Sequence, residues 1–168
     1  MTSPGKAVSE SQVIMPQRML PQDANPAGNV HGGVILKMID TAGSIVAMRH
    51  CRTSVVTASI DRMDFIKPAF IGEVIIIKAS VNYAGRTSME VGVRVEAEDL
   101  ITGEIRHTGS CYLTYVALDK NRQPIQVPPL LLETEDDCRR NREAKARRES
   151  RLAEKHRERA SQNETRAC

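Results

Sequence analysis

Tryptophan is absent from the 168-residue sequence, and aromatic residues make up only 3% of it, two Phe and three Tyr. A core must therefore be assembled from Val, Ile, Leu, Met and Ala, and the 40% hydrophobic content is enough for one. Charge of one sign is lacking too: 24 Lys and Arg against 21 Asp and Glu leave a formal +3. No basic face stands out over residues 1–132, so no nucleic-acid partner is expected. The four cysteines, Cys51, Cys111, Cys138 and Cys168, form no Cys-x-x-Cys pair and have no His nearby at ligand spacing. That pattern argues against a metal site or a redox dithiol and for reduced thiols in a cytosol. No stretch approaches the roughly 18 apolar residues of a membrane-spanning helix, and residues 1–12 lack the apolar centre of a signal peptide. A cytoplasmic protein without membrane insertion is the expectation.

The length suits one domain with an appendage, since domains commonly run to roughly 100–200 residues. Residues 1–12 read as a flexible polar leader, 13–132 as the domain and 133–168 as a charged tail. Within the domain, 13–20 reads as a short strand and 21–29 as a loop rich in Pro, Asp, Asn and Gly. Residues 34–48 are apolar on nearly every side, the mark of a buried helix. Four strands follow. The first runs over 55–60 and continues to Phe65. In the second, Ile75, Ile77, Ala79, Val81 and Tyr83 share one face, and in the third Met89, Val91, Val93, Val95 and Ala97 do so. The other face of the third carries Glu90, Arg94, Glu96 and Glu98, as in an antiparallel sheet wet on one side. Turns at 84–86 and 99–103 lead into a last long strand over 104–118. One buried helix must cover the apolar face of this sheet, which predicts an α+β domain: an antiparallel five-stranded curved sheet wrapped around a central helix. Five strands around one helix leave edges and apolar surface open, so self-association is expected. Beyond Pro124, Pro128 and Pro129, the tail is dominated by Arg, Glu and Lys. Pairs such as Asp136/Arg140 and Glu143/Arg147 at helical spacing predict a solvated helix with a frayed end.

Two features point to chemistry. Gly32 and Gly33 stand at the start of the helix, where backbone N–H groups lack partners and glycine lets a ligand carbonyl approach. Such donors can polarise a thioester and hold an oxyanion, although a Gly-Gly pair also serves as a plain turn. Asp40 places a carboxylate on a helix too apolar to face water. Either an ion pair with Lys37 or a role as general base would explain it. His31, directly before the glycines, reads as a base or as a loop hydrogen-bonder. His107 and Cys111, on one strand face, read as packing.

Beyond these local readings the sequence resembles a known family. Ala24-Asn25-Pro26-Ala27-Gly28-Asn29-Val30-His31-Gly32-Gly33, Ile35-Leu36-Lys37-Met38-Ile39-Asp40, Arg49-His50-Cys51, Val56-Thr57-Ala58-Ser59, and Val127-Pro128-Pro129 before Glu133-Thr134-Glu135-Asp136 resemble, in order, the hotdog acyl-CoA hydrolases of the cytosolic and brain type and their single-domain bacterial relatives. The resemblance covers roughly residues 13–145. It implies a single hotdog domain that hydrolyses fatty acyl-CoA to free acid and CoA, with coenzyme A as part of substrate and product and no other cofactor or metal. It further implies sites between two hotdog units, formed by a homodimer that assembles into a hexamer as a trimer of dimers. Asn29 matches the catalytic Asn before the helix and Asp40 the acidic residue within it, with the Gly33 amide polarising the carbonyl. The resemblance also implies that each site takes Asn29 from one subunit and Asp40 from the other, and the roughly 10 Å along the helix between Gly33 and Asp40 agree with that division. His31, Gly32 and the turn Arg86-Thr87-Ser88 are the implied contacts for substrate and CoA. Two rival readings are a hotdog that binds acyl-CoA as a sensor without cleaving it, and an enoyl-CoA hydratase, which would pair Asp with a catalytic His.

Overall fold

The computed structural model describes residues 4–166; residues 1–3 of the expected leader and 167–168 of the expected tail lie outside the described residues. In chain order the elements are β1 (Lys6–Ala7), β2 (Val13–Arg18), α1 (Gly32–Cys51), β3 (Ser54–Ile60), β4 (Asp64–Phe65), β5 (Val74–Ala84), β6 (Ser88–Glu98), β7 (Ile105–Leu118), β8 (Leu130–Leu131) and α2 (Glu135–Arg166), with single 3-10 turns at Val8–Glu10 and Pro21–Asp23. The main sheet runs β2-β5-β6-β7-β3, antiparallel throughout, and β4 continues the path of β3 along β7. This is the curled five-stranded sheet of a single hotdog domain, closed around α1. Among the described residues no helix is long and apolar enough to cross a membrane.

The alternation of β5, β6 and β7 decides which side α1 packs on. Ile75, Ile77, Val91, Val95 and Leu113 point inward and are fully buried, as are Ile39, Ala42 and Val46 of α1. Each such Ile, Val or Leu side chain contributes roughly 1.5–3 kcal/mol by leaving water. The helix begins at Gly32 because His31 caps it, and it ends where Arg52 turns left-handed at φ 56° with its N–H on Met48 O.

Three expectations need correction. Tyr83 does not share the inner face of β5: the register shifts between Val81 and Tyr83, and this bulge turns the ring outward to lie 5.9 Å from the Arg148 guanidinium. The described part of the leader is ordered rather than flexible. Lys6 and Ala7 pair in parallel with Leu130 and Leu131, and Ala7 and Val8 are buried.

The third correction is the largest. The outer face of β6 is wet only toward Arg94 and Glu98, and the tail is not a free appendage, because α2 lies across that face at Glu90. Glu90 is 1% exposed, with Arg147 on its Oε1 at 2.7 Å and Arg151 on its Oε2 at 3.1 Å; Arg151 also pairs with Asp61. The Arg147 guanidinium stacks 3.6 Å from the centre of the Tyr112 ring, and Asn141 Nδ2 donates to Asn82 O at 2.8 Å. Asp137, Asn141, Ala144, Arg147 and Arg151 recur at three- and four-residue steps, the period of one helix face. A stripe written mostly in polar letters is easily read as solvated. Of the expected pairs, Arg140 reaches Asp136 at 3.2 Å, but Glu143 binds Arg139 at 3.1 Å and leaves Arg147 to the sheet. Thr134 and Asp137 cap the start of α2 reciprocally, each side chain taking the other's N–H at 3.1 Å.

Candidate active site

The loop before α1 is built by one side chain. Asn25 Oδ1 accepts from Ala27 N at 2.9 Å and Asn29 N at 3.1 Å, while Asn25 N donates to Asn29 O at 2.7 Å. Gly28 closes the turn at φ +84°, a conformation that suits glycine. The loop is pinned to the domain by Val30 N on Ala69 O at 2.8 Å and His31 N on Asp23 O at 2.7 Å. Asn29 thus works here through its backbone, and it bridges to Phe70. The Asn25 Oδ1 is spent on the loop, which aims its Nδ2 as a donor without a partner among the described residues.

At the helix start, Gly33 N donates to His31 Nδ1 at 2.9 Å. The amide expected to polarise a carbonyl is therefore capped by the protein's own imidazole, and a substrate carbonyl that takes it must displace the ring. Gly32 N has no backbone or side-chain acceptor among the described residues. His31 is exposed and acts here as a cap; with Nδ1 accepting, its proton sits on Nε2.

Asp40 lies two helical turns further on. Thr57 and Tyr115 are cross-strand partners in the register of β3 and β7, so their side chains point to the same side and both meet this carboxylate. Thr57 Oγ1 donates to Asp40 Oδ1 at 2.7 Å, and Tyr115 Oη lies 3.2 Å from Oδ1 and 3.0 Å from the Asp40 backbone O. Tyr115 reaches that far because Gly43 offers no side chain in its way. Burial, reinforced by the Asp40 charge, holds the Tyr115 phenol well above its ordinary range, so it stays a donor. Among the described residues no ion pair joins Asp40 to Lys37. The bland explanation of Asp40 is thereby removed. Thr57 is exposed on β3, whose outer edge has no strand partner beyond it, so the carboxylate sits where the domain is open.

The structure does not bring every candidate together. The Arg86-Thr87-Ser88 turn joins β5 to β6 and is fixed by Ala117 N on Thr87 O and Val127 N on Arg86 O, both 3.0 Å. It lies at the end of the sheet opposite Gly32, whose neighbour Phe65 pairs with Gly109 near the far end of β7. His107 Nε2 lies 2.8 Å from Gly109 O and 2.9 Å from Ser110 Oγ. Burial pushes the Cys111 thiol up to about 11; both residues pack, as expected. Sequence reasoning passed over Asn25 and Thr57. Asn25 stood in the same motif as Asn29, and only the loop's hydrogen bonds separate their roles; Thr57 is tied to Asp40 by strand register, which no local pattern displays. Among the described residues no group of three or more His, Cys, Asp or Glu is placed to hold a metal ion.

Comparison with known proteins agrees with this architecture. The model of the thioesterase superfamily matches residues 27–104, from the loop through α1 to the turn after β6. The uncharacterized acyl-CoA thioester hydrolase YkhA of Bacillus subtilis is 41% identical over 128 residues, covering 76% of this chain and 74% of that protein. The cytosolic acyl coenzyme A thioester hydrolase of Mus musculus is 42% identical over 143 residues, but these span only 38% of the mouse protein. Among solved structures, an apo-hexameric acyl-CoA thioesterase superposes with a TM-score of 0.88 at 39% identity, covering 90% of this chain and 97% of that one. The acyl-CoA hydrolase of Staphylococcus aureus, solved with butyryl coenzyme A, coenzyme A and coenzyme A disulfide, gives 0.87 at 35% identity over 94% and 96% of the two chains. Further structures of the Staphylococcus enzyme carry Ala in place of one Asp, one Asn and one Thr. The chain belongs to the thioesterase superfamily, among its hotdog acyl-CoA thioester hydrolases.

Proposed function

We propose that this protein hydrolyses fatty acyl-CoA to the free acid and CoA, with Asp40 as the base that activates water. The observation that carries the reading is Asp40 itself: a carboxylate on an apolar helix, oriented by Thr57 and Tyr115, without a countercharge, at the open edge of the sheet. Water attacks the thioester carbonyl carbon as Asp40 of one subunit takes its proton, the carbonyl oxygen is held by the α1 amides of the other subunit at Gly32 and, once the His31 ring swings aside, at Gly33, and the C–S bond breaks with that proton passing to the CoA sulfur as it leaves as a thiol. The Asp and Thr replaced in the Staphylococcus enzyme are separated by the interval between Asp40 and Thr57 here, 17 positions. The replaced Asn precedes that Asp by the interval between Asn25 and Asp40. This favours Asn25, with its preset Nδ2, as the side chain that orients substrate, and Asn29 as the residue that holds the loop.

The site is completed by a second copy. Antiparallel pairing of two β3 edges brings the Arg86-Thr87-Ser88 end of one subunit toward the Gly32 end of the other, where a guanidinium and hydroxyls can meet CoA phosphate or pantetheine. Trimerisation of such dimers gives a hexamer, the state named for the hexameric neighbour, and the cytosolic mouse relative supports a cytoplasmic location. A hydratase is disfavoured because the side chains that meet Asp40 are Thr57 and Tyr115 rather than a His.

The test is release of CoA thiol from short, medium and long acyl-CoAs. Asp40→Asn is expected to lose about 10²–10⁴-fold in kcat with the oligomer intact, and Asn25→Ala to lose more than Asn29→Ala. Full turnover by Asp40→Asn would remove the base assignment. Tight binding without turnover by the wild type would establish the sensor instead.

A further inference from the structure

The chain has only two phenylalanines, and both stand against the loop and helix start just described, each about half exposed: Phe65 at 50% and Phe70 at 45%. Phe70 pairs with Asn29 through the backbone. Phe65 sits over Gly32, where a methyl group built on the glycine would come within 3.3 Å of Phe65 Cζ. A core poor in aromatics would gain roughly 1.5–3 kcal/mol by burying such a ring; here both rings are left at the surface, beside the backbone donors of α1.

Phe65 is held there from two directions. In front, β4 pairs Phe65 with Gly109 and Asp64 with Ser110, and Ile66 N donates to Thr108 O at 2.8 Å. Behind, the segment leading into β4 is fixed at Asp61, whose N–H donates to Tyr112 O at 2.8 Å and whose carboxylate pairs with Arg151 of α2. These contacts fix the backbone from which the ring reaches over Gly32.

We infer that Phe65 is a specificity-determining residue, its ring forming the wall against which the first carbons of the acyl chain pack once the thioester carbonyl is held at Gly32 and Gly33. The inference rests on the thioesterase reading above and adds the acyl side of the site to it. A thioester carbonyl carbon bears sulfur on one side and the acyl α-carbon on the other. The pantetheine arm carries two amides that need hydrogen-bond partners, which an aromatic face does not supply, whereas an acyl α-carbon needs none. A ring in that place leaves little room for a branch at the α-carbon.

The test compares butyryl-CoA with 2-methylpropanoyl-CoA, the same acyl size with the branch moved to the α-carbon, in wild type, Phe65→Ala and Phe65→Leu. Phe65→Ala is expected to raise the branched-to-straight ratio of kcat/KM about tenfold, the scale on which a pocket senses one methyl group. Phe65→Leu, which keeps an apolar wall and the packing of β4, should shift it less, and inhibition by free CoA should stay within twofold of wild type in both variants. A ratio unmoved in Phe65→Ala, or weakened CoA inhibition in step with a moved ratio, overturns the inference, the latter by placing the ring on the pantetheine side. If the wild type cleaves neither ester, the same straight and α-methyl pair is compared at the chain length it does cleave, and a wild type that releases CoA at no length overturns the hydrolase reading as well, so the two failures are distinguished.

Discussion

The two faces of the sheet are covered by helices of opposite character. On the inner face, α1 meets the strands through Ile39, Ala42 and Val46 against Ile75, Val91 and Leu113, with no charge between them. On the outer face, α2 contributes one small apolar contact at Ala144 and otherwise holds on through Asn141, Arg147 and Arg151. The first interface is non-directional and proportional to area. The second depends on Glu90, a buried carboxylate whose desolvation must be offset by two guanidiniums in good geometry. A helix can therefore dock by answering a buried charge as well as by adding apolar surface, and the two attachments fail in different ways.

The largest effect should come from the inner face. Ile39→Ala leaves a cavity at a fully buried position and is expected to cost about 4 kcal/mol, read as an earlier urea midpoint for the whole domain and insensitive to salt. A loss confined to α2 would break the comparison by showing that the sheet stands without α1. Next comes the outer face. Arg147→Ala combined with Arg151→Ala strands Glu90 and is expected to cost about 3 kcal/mol, with α2 amides exchanging hydrogen faster than those of β6. Changing all three residues to Glu90→Leu, Arg147→Met and Arg151→Met should recover most of it, since removing a buried ion pair entirely is often neutral. No recovery would mean that the ionic geometry itself, rather than the need to satisfy Glu90, seats the helix.

The smallest effect sits where the two faces join. His50, at the end of α1 and fully buried, lies with Nε2 3.0 Å from Pro128 O in the segment that leads to β8 and α2. Burial lowers its pKa below the ordinary 6.5. The unfolded chain therefore takes up this proton first, so the His50 contribution is complete above pH 6.5 and is lost as pH falls below it toward the folded value. The urea midpoint should drop between about pH 7.5 and about pH 5.5, and His50→Gln should flatten that drop. An equal drop in the variant would assign the acid sensitivity elsewhere.

The same contrast explains what could be read beforehand. The inner face was legible residue by residue, because period-2 alternation in β5 and β6 and an all-apolar run in α1 are local patterns that state their own burial. Tyr83 was misplaced because a bulge after Val81 breaks the alternation without a marker in the letters. The outer face was not legible: Glu90 and Arg147 are 57 positions apart, and each alone reads as an ordinary surface charge. In the site, Asp40 stood out as a carboxylate in apolar company, and the glycines marked the helix start. Its partners Thr57 and Tyr115 follow from strand register, and the capping of Gly33 by His31 follows from a rotamer; neither is a property of spacing.

The polar outer face has a consequence for synthesis. β6 leaves the ribosome 57 residues ahead of Arg147, a wait of roughly 3–11 s at ordinary elongation rates. Throughout that time the nascent sheet has no α2 to cover it. Had the covering been apolar, the newborn chain would have presented a greasy plate to every other polypeptide emerging nearby. Glu90, Glu96 and Arg94 instead keep that plate hydrated until the helix arrives, and the guanidiniums then replace water as the carboxylate's partners.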